Sequence, residues 1–487
     1  MKNPHLVSRL VYVEDIPKSS CYRDTVFSFL NLTKQFTIWN DTAYGMLWAY
    51  NLNYMDWLCQ SNMSFEVGAE WIDKFTVNIS ENRIGLNSYP IALRGINWIK
   101  FISKYYDRIS VNRLSEWNDA LYSQYSILNH NLEYHLCGNH LLEDAYSLFI
   151  ASIYFNDISW YNKAIKLLYR ELDEQILPDG AHYEQSPMYH CVLLEHLLDC
   201  CNFSINNILF QGQGDLNEVL IGKAKLMLGH LESIVYADAT IPLLNDSAYG
   251  IASTPMQLFS YAKRLGISWS SVEMKECGYR KLSNVTFEAI VDVGNIMATY
   301  QPGHSHADTF GYELRISGQR FIIDTGISTY EKNDRRQLER STKAHNTVTV
   351  YDCNSSEVWS GFRIGKRAHV SILAECSDMI IAEHNGFGKK CIHKRAFKLS
   401  AGLFEIEDNI TLNDVLAKSY IHFAPGVRVI SYGSKIIETN MAYITIDGAC
   451  RVELRRGTAA DEYNELFDID IIVIYFSAEV RYRIKIQ

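Results

Sequence analysis

Proline is scarce in this chain, 9 among 487 residues, and glycine is modest at 27, so no stretch has the composition of a linker or disordered tail. Long apolar runs are missing as well. None approaches the roughly 20 residues that span a bilayer, which argues against membrane insertion. The N-terminus, MKNPHLVSRLVYVEDIPKSS, has neither an apolar h-region nor a small-residue cleavage site. The expected location is therefore cytoplasmic, with the periplasm as the alternative. Basic runs longer than a pair or so are lacking and the net charge is -10, which argues against a nucleic-acid footprint. A polyanionic ligand would need a local basic cleft. The 11 cysteines include no CxxC pair, and only Cys200 and Cys201 are adjacent. That pattern fits reduced thiols and supplies neither a disulfide framework nor a zinc knuckle.

Aromatics are plentiful, with 31 Tyr and 9 Trp. Their faces pack on sugar C–H surfaces while OH and NH groups bond hydroxyls, although any single one also fits an ordinary core. From about residue 20 to 275 apolar residues recur at three and four positions, as in AYGMLWAYNLNYMDWLCQ, PIALRGINWIKFISKYYDRI and WYNKAIKLLYRELDEQIL, which predicts amphipathic helices. After about residue 278 the period becomes two, in segments such as NVTFEAIVDV, IMATYQ, TFGYELRI, HNTVTVYD and IDIIVIYF, which predicts an antiparallel β-sandwich. The expected organisation is multidomain α + β: a helical domain over 1–277 and a β domain over 278–487. Length alone favours two or three domains.

Several polar clusters could carry chemistry. In QPGHSHADTFGYEL, His304 and His306 are two apart and project on one face of an extended chain, with Asp308 following. Downstream, FIIDTG contains Asp324 and STKAHNTVTV contains His345. Two imidazoles and a carboxylate make a normal ligand set for zinc or a similar ion. If TFGYELRISGQRFIID is a hairpin turning at Ser317 and Gly318, Asp324 falls opposite about Gly311. His306 can join it only if HSHAD leaves the strand as a loop.

In the helical half, LPDGAHYEQSPMYHCVLLEHL places His182, Tyr183, Glu184, Tyr189 and His190 around a helix start at Pro187. CGNHLLEDA places Asn139, His140 and Glu143 at another, where an N-cap Asn explains itself structurally. Arg336 and Arg340 could bind an acidic group in a fork geometry, or be surface charge. Arg94, Asn97 and Trp98 share a helix face. Glu357, Trp359, Arg363 and the pair Asn245 and Asp246 are weaker candidates.

Taken together, GHSHADTFGYEL, FIIDTGISTY, RSTKAHNTVTV, SSEVWSGFR, LPDGAHYEQSPMYH, GNHLLEDA and YPIALRGINWIKF resemble the heparinase II/III family of polysaccharide lyases and lyase-like proteins. The resemblance implies an incomplete (α/α) toroid followed by a β-sandwich, and cleavage of uronate polysaccharides by β-elimination in a cleft between them. It assigns Asn139 to the uronate carboxylate, Tyr189 and His304 to catalysis, and His306, Asp324 and His345 to a structural zinc site. Arg94, His140, Glu184, Arg336 and Arg340 are then expected to bind substrate. No organic cofactor is required, and the expected partner is an anionic polysaccharide or oligosaccharide. The alternatives are a metal-dependent glycan hydrolase and a non-catalytic glycan-binding protein of polysaccharide biosynthesis. Glycan identity and oligomeric state stay open.

Overall fold

The computed structural model describes residues 9–412 and 415–486. Its first half is helical and its second half is built of antiparallel sheets. The last helix before the change, Pro255–Arg264, is followed by the strand Tyr279–Ser283.

The helices follow the apolar spacing. Ile158–Gln175 buries Trp160, Tyr161, Ala164, Leu167, Leu168, Glu171, Leu172 and Gln175, one stripe at three- and four-residue intervals. Asp157 caps it by accepting from the backbone of Ser159 and Trp160. Gly138–Tyr154 is buried almost all round, the mark of a helix inside a bundle of others. One element departs from the helical expectation. Residues 22–35 form a three-stranded meander, because Asp24–Thr25 and Leu30–Asn31 adopt positive φ and close tight turns between alternating residues.

Among the described residues, the second half holds one sheet of eight strands, two of four and a two-stranded ribbon of Val358–Trp359 and Arg363–Ile364. One four-stranded sheet runs in chain order, Tyr279–Ser283, Phe287–Asp292, Tyr312–Ile316 and Gln319–Ile322. Its last hairpin turns at Ser317 and Gly318, both at positive φ. Leu314 and Phe321 from that sheet, Phe397 and Tyr482 from the eight-stranded one, and Val348 and Ile472 from the other share one apolar core. The alternating segment IMATYQ does not form a strand. The Gln185 side chain occupies the adjoining backbone, donating to the Asn295 carbonyl and accepting from the Met297 N–H. Those groups are thereby withdrawn from any ladder.

The chain divides into two compact units that do not follow a single cut. One comprises residues 1–176, 191–228 and 256–270, and the other 177–190, 229–255 and 271–487. The second unit therefore includes two excursions from the helical stretch, which carry Tyr189 and Asp246.

Candidate functional site

Residues 301–311 leave the sheet as a loop before the strand Tyr312–Ile316 begins. Phe310 takes positive φ, and a Cβ on Gly311 would lie 2.8 Å from the Asp308 carbonyl. The loop closes on itself through Ser305 N–H to Pro302 O and Gly311 N–H to Asp308 O. It is also sewn to the second excursion: Asp246 N–H donates to His304 O at 3.0 Å, and His306 N–H to Asn245 Oδ1 at 2.8 Å.

Asp246 is the hub of this site. Its Oδ2 accepts from His304 Nδ1 at 2.9 Å and from one Arg336 amino group at 2.7 Å. Oδ1 accepts from His306 Nε2 at 2.8 Å and from the other Arg336 amino group at 2.5 Å. Asp246, His306 and Arg336 are fully buried. Burial alone would raise the carboxyl pKa, but Arg336 and the histidine hydrogen bonds hold it well below the usual carboxylate range. Burial pushes His306 down to about 3, so this imidazole is neutral at ordinary pH.

Tyr189 stands in the first turn of the helix Pro187–Asn206. Pro187 suits the first helical position, where an N–H would lack a partner. Ser186 caps that turn, its Oγ accepting from Tyr189 N–H at 3.2 Å and donating to Asp246 O at 2.6 Å. The Tyr189 ring lies 4.0 Å, centroid to centroid, from the His304 imidazole. Tyr330 donates to the Tyr189 hydroxyl at 3.3 Å and lays its ring beneath the Arg336 guanidinium. Desolvation drives the Tyr189 phenol above its ordinary pKa, so it keeps its proton. Glu184 Oε2 lies 3.8 Å from His304 Nε2.

The other histidine of the loop faces a different neighbour. The rings of His306 and His345 are 5.3 Å apart, and His345 Nδ1 is hydrogen-bonded to Asp324 Oδ2 at 2.7 Å. His306 Nδ1, His345 Nε2 and Asp308 Oδ2 are buried without a hydrogen-bond partner. Asn346 donates to the carbonyls of Tyr312 and Ile323, which pins together the strand ends beside these residues. Arg395 donates to the carbonyls of Phe310 and Asn346 from the side of the sheets.

Other expected residues are placed differently. Arg336 and Arg340 were expected to meet substrate, but both are fully buried. Arg336 is committed to Asp246, and Arg340 donates to the Ser305 and Ser360 carbonyls. Arg94, in the first unit, is likewise enclosed, bonded to Gln124 and to the carbonyls of Asn53 and Gly85. Direct substrate contact does not fit a guanidinium spent on the protein's own acceptors. Asn139 is not an N-cap: Cys137 holds that position, and Asn139 is the second residue of its helix. The neighbouring His140 is half-buried, with Nδ1 2.9 Å from Glu133 Oε2. Trp98 is core. Trp359 is exposed, and Arg363 reaches Gln301 at the surface. The sequence signal for Asp246 was thin, a polar pair in LLNDSAYG nearly sixty residues ahead of the histidines it orients; Ser186 and Tyr330 gave none.

Comparison with known proteins adds a second line. Residues 30–265 match the family model for the heparinase II/III N-terminus, and residues 267–487 match the one for the heparinase II/III-like C-terminal domain. A heparin-sulfate lyase of Bacteroides stercoris is 21% identical over 300 residues, covering 56% of this chain and 44% of the relative. A heparin-sulfate lyase of Pedobacter heparinus is 24% identical over 246 residues, covering 45% and 36%. The chain thus spans less than half the length of these curated relatives. A crystal structure of heparinase III superposes with a TM-score of 0.70 at 17% identity, over 91% of this chain and 76% of that one, a likeness of fold.

Proposed function

Because the chain belongs to the heparinase II/III-like family, whose two domain models together cover nearly all of it, we propose that it is a polysaccharide lyase cleaving a uronate-containing glycan by β-elimination. The observation that carries this reading is the close ring pair of Tyr189 and His304, with the histidine oriented by Asp246. Elimination needs a base for the C5 proton and an acid for the departing O4 oxygen. With Nδ1–H donating to Asp246, His304 presents the Nε2 lone pair as the base. Tyr189, kept protonated by its surroundings, is the acid. The C5 proton is removable only once the uronate carboxylate is neutralised, and the resemblance of GNHLLEDA to the family assigns the Asn139 amide to that task. Heparin-sulfate lyase relatives support an anionic polysaccharide as substrate.

Two finer readings go with it. We infer that the helical part closes as an incomplete (α/α) toroid and that the sheets stack as a sandwich, supported by the heparinase III likeness and the apolar core the sheets share. We also infer a structural zinc-class ion held by His306, Asp324 and His345. The fit rests on the orphaned, buried His306 Nδ1 and His345 Nε2, His306 having its other nitrogen on the Asp246 carboxylate, as metal-bound imidazoles usually do; Asp324 Oδ2, which here accepts from His345 Nδ1, would join them as a ligand only by leaving that bond. When bound, the ion would hold the histidine-bearing loop on the strand ends.

The test is a screen of wild type and Tyr189→Phe against a panel of uronate glycans, following the near-ultraviolet absorbance of the new double bond. A rise with wild type that falls by at least about 100-fold in the variant is expected, the lower range for loss of an acid–base group. Cleavage with solvent oxygen incorporated and no double bond would replace elimination by hydrolysis. Glycan binding without cleavage across the panel would point to a non-catalytic protein.

A further inference from the structure

We propose that Asp179, His230 and Cys277 form a second metal site, for a zinc-class divalent transition ion, bound through carboxylate, imidazole and thiolate. The three residues come from separate parts of the second unit: the turn at 177–180, the last turns of the helix Gln213–Ile234, and the residue two ahead of the strand Tyr279–Ser283. One donor atom from each lies within 4.8 Å of the other two. All three residues are buried, and His230 Nδ1 has no hydrogen-bond partner. The carboxylate is aimed by the backbone: Asp179 Oδ2 accepts from Lys275 and Cys277 N–H, and Oδ1 from Ala181 N–H. The Cys277 thiol is hydrogen-bonded to the same carboxylate, and an ion would take the place of that proton. The Cys277 backbone is fixed in turn, since Gly278 at φ 83° packs on Gly294, where a Cβ would come within 2.1 Å of the Gly294 Cα.

Charge and softness both favour a transition ion. A mixed N, O and S donor set suits zinc or cobalt and disfavours magnesium or calcium. Carboxylate and thiolate together carry two negative charges, matched by a divalent ion; binding displaces the thiol proton to solvent. Beside His230 lies a cavity of about 10 Å³ lined also by His182, Ser186 and His190, room for about one water. The site shares no residue with His306, Asp324 and His345, and it stands independently of the lyase reading. It would tether the turn that leads to Tyr189 onto the strand after Cys277.

Cobalt(II) is the probe, because a thiolate ligand gives a sulfur-to-cobalt charge-transfer band in the near ultraviolet that a site of histidine and carboxylate does not. Metal-depleted full-length protein, shown folded by circular dichroism, would be titrated with cobalt(II). The expected result is a saturable band in wild type, its loss in folded Cys277→Ser, and at least a tenfold weaker cobalt affinity in His230→Gln. Zinc content should drop by about one ion per chain in Cys277→Ser. Absence of the band from folded, cobalt-saturated wild type would overturn the proposal. So would persistence of the band in Cys277→Ser or, should that variant not fold, unchanged cobalt affinity in His230→Gln.

Discussion

Replacing Asp246 by Asn keeps the shape of the side chain and removes its charge. Two Arg336 amino groups and two imidazole nitrogens converge on that carboxylate at 2.5–2.9 Å. An amide offers one acceptor oxygen and presents an NH2 group to the remaining donors. The larger loss is electrostatic, because Arg336 stays fully buried with the Gly361 carbonyl as its other acceptor among the described residues. Breaking a buried pair by removing one partner costs about 3–5 kcal/mol, against a total stability of roughly 5–15 kcal/mol. The variant should therefore fold in buffer but unfold at markedly lower urea. Its lyase rate should fall further than its folded fraction does, by about 100-fold or more, because His304 loses its orienting acceptor. Urea unfolding followed by tryptophan fluorescence gives the first number, and initial rates on a glycan that wild type cleaves give the second. A wild-type urea midpoint together with a rate within threefold of wild type would refute the reasoning; a rate that merely tracks the folded fraction would leave Asp246 with a structural role only.

Other perturbations test other parts of the fold. Lys18 lies 2.5 Å from Glu195 in the helical unit. Burial alone would raise Glu195, but Lys18, His196 and Lys100 bring it down to about 2 from its ordinary 4.5. A depressed folded-state pKa gives stability that is present above about pH 4.5 and lost as pH falls toward 2. Lys18→Met should thus cost about 3–5 kcal/mol at neutral pH and progressively less in acid, read from urea midpoints across that range; a pH-independent cost would contradict the pairing. Arg395 makes a bidentate pair with Asp408 at 2.6 and 2.8 Å, both fully buried, so Arg395→Met should lose a similar amount. An unchanged midpoint there would mean that the pair contributes little. Gly278→Ala meets both a positive φ and the Gly294 backbone; a loss of more than about 1 kcal/mol is expected, and calorimetry showing none would place the strain elsewhere.

Much of this architecture was legible because periodicity reports burial directly. The stripe from Trp160 to Gln175 and the turn at Ser317–Gly318 stand in the sequence as they do in space. What failed to show were features decided by distant partners. The segment 296–301 alternates like a strand, yet Gln185, more than a hundred positions upstream, takes its neighbouring backbone groups. Arg336 and Arg340 look like surface charge or substrate forks, because nothing local reveals that a buried carboxylate and carbonyls await them. Asp179, Cys277 and His230 carry no recognisable metal spacing, since the fold and not the local chain brings them together.

Asp246 also explains how two histidines two positions apart can serve different tasks. Its Oδ2 receives Nδ1 of His304, whereas its Oδ1 receives Nε2 of His306. A neutral imidazole that donates through one nitrogen accepts through the other. The same carboxylate therefore selects opposite tautomers in the two rings, leaving Nε2 of His304 turned from Asp246, 3.8 Å from Glu184 Oε2, and Nδ1 of His306 as the orphaned nitrogen suited to an ion. The loop backbone is bound to the same segment, through Asp246 N–H to His304 O and His306 N–H to Asn245 Oδ1. On the proposed function, catalytic orientation and metal retention are coupled at one buried charge. A substitution that spares the charge but shifts it, Asp246→Glu, should disturb both the elimination rate and the ion content. Loss of one with full retention of the other would show that the two histidines are held independently.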